Sequence, residues 1–120
     1  MDAKTQAELR KLLFLERERI LNNSKRSLAQ DLAVSSDDLP DETDLAAQEI
    51  QQNLTFNMRD RDRRLLESIN EALMRMENGV YGICEETEEP IEVSRLRAVP
   101  WTTVSLAGAE LRDLKKRKFA

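Results

Sequence analysis

Apolar residues recur at helical intervals through the first quarter of the chain. Leu9, Leu12, Leu13, Ile20, Leu21, Leu28 and Leu32 are separated by steps that sum to threes, fours and sevens, which places them on one helical face. The spacing predicts a helix that starts near Asp2 or Thr5 and fades around Asp31 to Val34. A second stripe, Ala47, Ile50, Leu54, Met58, Leu65, Ile69, Leu73 and Met76, predicts another helix, nearly unbroken from Asp44 to Glu77. Leu39-Pro40-Asp41 supplies the bend between them, because the residue before a proline is pushed away from helical angles. Asp41, Thr43 and Asp44 are cap candidates and first-turn acids for the second helix. Asn78-Gly79 ends it, since glycine tolerates the left-handed turn at a helix C-terminus. Two helices of about thirty residues extend roughly 45 Å each. Joined by a short loop, with facing apolar stripes, they form an antiparallel coiled-coil hairpin.

Beyond Gly79 the pattern changes. Tyr81-Gly82-Ile83-Cys84-Glu85-Glu86-Thr87 reads as a turn. Ile91 and Val93 alternate as a short strand would. Arg95 to Trp101 lead into a final helical stretch carrying Val104, Leu106, Leu111 and Leu114, then Lys115-Lys116-Arg117-Lys118. The expected architecture is mainly all-α. Residues 1–79 form the hairpin, with its tip around 37–46, and residues 80–120 form a small globular base with a C-terminal helix.

Charge sharpens this picture. Residues 27–58 hold seven acids and no Lys or Arg, leaving 16 acids against 19 bases elsewhere. The tip is therefore strongly negative. It repels phosphate backbones, so direct, specific DNA binding is not expected of it. A metal or a basic protein surface suits it better. Charged residues make up 35% of the chain and aromatics 4%, which fits an elongated helical protein better than a compact globule. There is one cysteine and no histidine, so an intramolecular disulfide, Cys-His zinc sites and His-based triads are excluded. No segment is apolar and long enough to span a membrane or to act as a signal peptide, and the default is a cytoplasmic protein.

Three motifs, in order and at matching spacing, resemble the DksA/TraR family of bacterial RNA polymerase regulators. The first is Leu39 to Glu49, which fits an acidic pattern Asp-x-x-Asp-x-Ala. The second is Arg59-Asp60-Arg61-Asp62-Arg63. The third is Tyr81-Gly82-x-Cys84, followed by Arg95-Leu96 and Pro100. The similarity runs from about residue 9 to residue 115. It implies a protein of the stringent response that enters the secondary channel of RNA polymerase with the hairpin. Asp41, Asp44 and Ala46 would be the tip residues near the catalytic centre, and Arg61, Leu65 and Arg95 candidate polymerase contacts. Compared with longer members, an N-terminal segment is expected to be missing.

Two departures from the family pattern carry expectations of their own. Typical members hold zinc with two Cys-x-x-Cys pairs, whereas the aligned positions here are Cys84, Thr87, Ser105 and Gly108. Hydroxyls are poor zinc ligands at neutral pH and glycine offers no side chain, so a zinc-free finger is expected. Packing by Tyr81, Ile91, Val93, Leu96, Trp101, Val104 and Leu106 would replace the metal. Where the best-known members place bases for ppGpp, this chain has Ser68, Val99 and Ala109. Weak or absent potentiation by ppGpp follows, with Arg64, Arg95 and Arg97 the evident substitutes.

Bland readings stand beside these. Asp41 and Asp44 are suitable helix caps whatever else they do. Lys115 to Lys118 suit a solvated helix end as well as a polymerase contact. Cys84 reads as an inert, partly buried thiol whose pKa Glu85 and Glu86 would raise. The protein is expected to bind an enzyme without being one. A Gre-type transcript-cleavage factor shares the hairpin and acidic tip. A metal-dependent hydrolase would need more converging ligands than the Asp cluster offers.

Overall fold

The computed structural model describes residues 1–33 and 43–119. Among the described residues five helices follow in order: α1 (Ala3–Ala33), α2 (Thr43–Asn57), α3 (Asp60–Glu77), α4 (Val93–Ala98) and α5 (Leu106–Phe119). Among the described residues there is no strand, only an isolated antiparallel bridge between Ile83 and Pro90. The chain divides into two compact units, Met1–Leu15 with Glu67–Ala120, and Glu16–Leu66.

The boundaries of α1 agree with its periodicity. Asp2 caps it: the Thr5 amide donates to Asp2 Oδ1 at 2.8 Å, satisfying one of the orphan donors at a helix start. Hydrogen bonds from the Thr5 hydroxyl and then the Thr5 amide hold the Asp2 carboxyl below its ordinary pKa. In the first unit, Leu9, Leu13, Ile69, Ala72, Met76 and Leu96 are buried together with Tyr81, Cys84, Ile91 and Val104. In the second, Ile20, Leu28 and Met58 are buried. The outer part of the second stripe is different, because Ala47 and Ile50 on α2 are exposed.

The expected unbroken helix from Asp44 to Glu77 is interrupted at Met58 and Arg59. Charge chemistry settles the joint. The Arg63 guanidinium donates to the Met58 carbonyl at 3.4 Å and reaches Asp60 at 3.6 Å. Asp60 and Asp62 fall in the first turn of α3, where negative charge offsets the positive end of the helix dipole. The Arg63 amide donates to the Arg59 carbonyl at 2.9 Å, so α3 has a well-formed start of its own.

At the other end of α3 the sequence is followed closely. Gly79 takes φ 73°. The Val80 amide reaches the Arg75 carbonyl at 3.0 Å and the Gly79 amide the Met76 carbonyl at 3.3 Å. These two bonds are the Schellman closure. The strand expected at Ile91 and Val93 does not form. Ile91 is buried in an irregular segment, and Val93, 37% exposed, starts the short α4. Leu96 is the buried residue of α4.

Candidate functional site

The finger segment is built on two turns. The first runs from Gly82 to Ile91. The Ile91 amide donates to Gly82 O, the Cys84 amide to Glu89 O and the Glu88 amide to Cys84 O, all at 2.8–2.9 Å. Gly82 adopts φ 85°, and the Met1 side chain sits where a Cβ on Gly82 would be, at 2.6 Å. The second turn is the start of α5. Ser105 caps it, with its Oγ accepting from the Gly108 amide at 3.0 Å.

These turns bring Cys84, Thr87, Ser105 and Gly108 together. Cys84 Sγ is the centre. It accepts from the Thr87 amide at 3.5 Å, the Ser105 amide at 3.3 Å and the Ser105 hydroxyl at 3.5 Å. Gly108 leaves the space the sulfur fills, because a Cβ there would collide with Cys84 Sγ. Cys84 is 1% exposed. Burial pushes its thiol pKa up, but the hydrogen bonds from Ser105 and Thr87 outweigh it and bring the value down to about 6. The expectation that Glu85 and Glu86 would raise it is thus reversed. Their charges are turned elsewhere: Arg112 reaches Glu86 at 3.1 Å and Glu85 at 3.3 Å, and Lys115 reaches Glu86 at 2.8 Å. The hydrogen bonds from Lys115 and then Arg112 hold the Glu86 carboxyl below its usual pKa. Sequence reading missed this clamp. Its signal was the Arg112–Lys115 pair, one helical turn apart, opposite two adjacent glutamates.

The packing expected to replace a metal forms in part. Tyr81, Ile91, Leu96 and Val104 are buried, Trp101 is half-buried, and Val93 and Leu106 are exposed. Tyr81 donates its hydroxyl to the Pro100 carbonyl at 2.7 Å. Burial raises its pKa from 10.0 to about 12, with Arg75 opposing. In that window the unfolded chain loses the phenolic proton first, so stability falls as pH rises. The loss should be on the order of 2 kcal/mol across the interval. Denaturant titrations at several alkaline pH values should show it for the native chain and not for Tyr81→Phe, which itself costs about 1 kcal/mol from the lost hydrogen bond.

Asp41 lies outside the described residues, as does the bend at Leu39-Pro40. Asp44 is the second residue of α2, with its side chain outside the described set, and Ala46 is half-buried in α2. On α3, Arg61 is exposed and Leu65 half-buried. Arg95, on α4, donates its Nε to the Val104 carbonyl at 2.8 Å. Arg97 pairs with Glu8 of α1 at 3.5 Å.

A helical framework carrying a finger turn that gathers Cys84, Thr87, Ser105 and Gly108 defines a class of finger-bearing helical proteins. A family model described as DnaK suppressor protein DksA, N-terminal domain, matches residues 5–76, and one described as prokaryotic dksA/traR C4-type zinc finger matches residues 79–110. The chain belongs to the DksA/TraR family. It is 37% identical over 105 residues to a Caulobacter vibrioides protein named RNA polymerase-binding transcription factor DksA, covering 88% of this chain and 73% of the relative. The Escherichia coli protein of the same name is 29% identical over 116 residues, covering 95% and 75%. The solved structure of transcription factor DksA2 from Pseudomonas aeruginosa superposes with a TM-score of 0.68 at 32% identity, covering 97% of this chain and 88% of that one.

The family's finger is described as a C4 zinc finger, a site whose ligands the residues present would have to supply. They do not fit. The four positions offer one sulfur, two hydroxyls and a bare α-carbon. One hydroxyl is committed to the sulfur and to the Gly108 amide. A four-thiolate tetrahedron cannot be assembled from this set.

Proposed function

We propose that this chain regulates transcription by binding RNA polymerase, entering its secondary channel with the hairpin of residues 1–79 and acting there through an acidic tip. The observation that carries the reading is the ordered match of both family models along one chain. Relatives named RNA polymerase-binding transcription factors supply the partner. Asp41, Asp44 and Ala46 are assigned to the tip, and Arg61, Leu65 and Arg95 to polymerase contacts. The base-free run of residues 27–58 supports an action on the enzyme's protein surface or its metal, without direct DNA binding. The chain works as a ligand of an enzyme and not as one. A transcript-cleavage role draws no support from the family match. The action belongs in the cytoplasm, with the polymerase. Among the described residues no helix is long and apolar enough to cross a membrane.

The test is open-complex lifetime on a ribosomal promoter. Asp44→Asn removes one charge while keeping size, so stability should move by less than about 0.5 kcal/mol. Regulation should be lost while polymerase binding persists. Full regulation by both Asp41→Asn and Asp44→Asn would sink the assignment, and cleavage of backtracked transcripts would shift it to the Gre type.

The finger is read as zinc-free. Elemental analysis of protein purified without chelator should find no stoichiometric zinc. Chelators should leave the melting curve unchanged, because no folding energy is tied to a metal. Weak or absent enhancement by ppGpp completes the reading. Ser68, Val99 and Ala109 give the anion no cation. Of the candidate substitutes, Arg95 is bonded to Val104 and Arg97 to Glu8. Titrating ppGpp at half-saturating protein, with polymerase lacking any other ppGpp site, checks it; saturable enhancement there contradicts it.

A further inference from the structure

Helix α5 is docked in an unusual way for a helix that closes a small core. Of its described residues, Gly108 is buried, and Ala109 and Arg112 are half-buried. None of its leucines is buried: Leu106 is 58% exposed, Leu111 38% and Leu114 60%. Apolar burial, the usual source of docking energy, is therefore only partial along this helix. The attachments are polar instead. Cys84 Sγ and the Ser105 cap fix the first turn. Beyond it, Arg112 and Lys115 grip Glu85 and Glu86. Glu86 holds both cations and its side chain is only 17% exposed, so this carboxylate is the hub.

We propose that α5 is an ionic latch, its outer turns held to the finger turn by the Glu85–Glu86 grip on Arg112 and Lys115 and released as ionic strength rises. The inference rests on the metal-free reading of the finger, because a metal joining residues 84–87 to 105–108 would hold the helix regardless of salt. Exposed charges are screened within about 10 Å at 0.1 M salt and about 3 Å at 1 M. A helix of 14 residues has little stability by itself in water, so undocking and unravelling coincide. Release begins at the Lys116-Arg117-Lys118 end and stops at Gly108, where the sulfur and the Ser105 cap still hold. It frees a segment of four consecutive bases and two exposed leucines, while the buried residues around Leu9, Leu13, Ile69 and Leu96 are indifferent to screening. The latch therefore converts a change in ionic strength into the availability of one basic helix.

Amide hydrogen exchange of the full chain, with and without chelator, tests it without polymerase. Between about 0.05 M and about 0.5 M KCl, protection of residues 111–118 should fall by about tenfold, while amides of α1 and α3 in the same unit keep theirs. Glu86→Gln should be poorly protected at both salts. The exchanged set E85K, E86K, R112E and K115E should regain salt-sensitive protection. Salt-independent protection of residues 111–118 in the native chain overturns the proposal, as does a Glu86→Gln profile equal to native. Should Glu86→Gln lose structure throughout, the native salt series and the exchanged set decide. Release by chelator in place of salt also overturns it, and leaves the polymerase reading standing.

Discussion

Replacing Leu96 with Ala should lower the unfolding free energy by about 2–5 kcal/mol, the range for emptying a fully buried leucine site. Leu96 is 0% exposed and is the buried residue of α4. Its Cδ1 lies 3.8 Å from where a Cβ on Gly82 would stand, so its side chain ties α4 to the finger turn. The backbone at Gly82 is set by its left-handed angle, so that side of the space would not close by itself. Urea unfolding followed by the fluorescence of the single Trp101 reads the effect directly. A loss under about 1 kcal/mol would show that α4 is held by its ion pair to Glu8 and not by packing.

Gly108→Ala should also destabilise, by about 1–3 kcal/mol, and the sign is the informative part. Within a helix, Ala normally gains about 1 kcal/mol over Gly. Here the new methyl meets Cys84 Sγ, with Ser105 Oγ and Val104 Cβ both at 3.3 Å. The sulfur cannot retreat without giving up its three hydrogen bonds. In a Cys84→Ala background the collision is gone, and the same substitution should become neutral or stabilising. That double-mutant cycle isolates the contact. Additive effects in the cycle would mean that Gly108 matters for some reason other than the sulfur.

Much of the helical framework was legible in the chain, and the reasons are physical. Leu9, Leu13, Ile20, Leu28, Ile69 and Met76 are buried because a long amphipathic helix repeats its signal many times. Gly79 was readable because few residues take its backbone angle. The break at Met58 and Arg59 was not, since no Pro or Gly marks it and the flanking charges look like an ordinary solvated face. Helix α4 was missed because six residues with one buried leucine carry no periodicity, and Ile91 and Val93 mimic alternation. The finger residues were found through the family pattern, but their chemistry was not. The sulfur's hydrogen bonds and the grip of Arg112 on Glu86, 26 positions apart, exist only once the chain has folded.

The joint at Met58 and Arg59 has a consequence for rotational phase. In a continuous helix each inserted residue turns everything beyond it by about 100°, so α2 and α3 would be locked to one angular setting. Two non-helical residues uncouple them. A residue gained or lost at the joint need not turn the buried stripe of α3, because no continuous helical ladder carries the rotation across Met58 and Arg59. The segment that begins at Thr43 can therefore be re-aimed about its own axis by changes of length, with the rest of the sequence untouched.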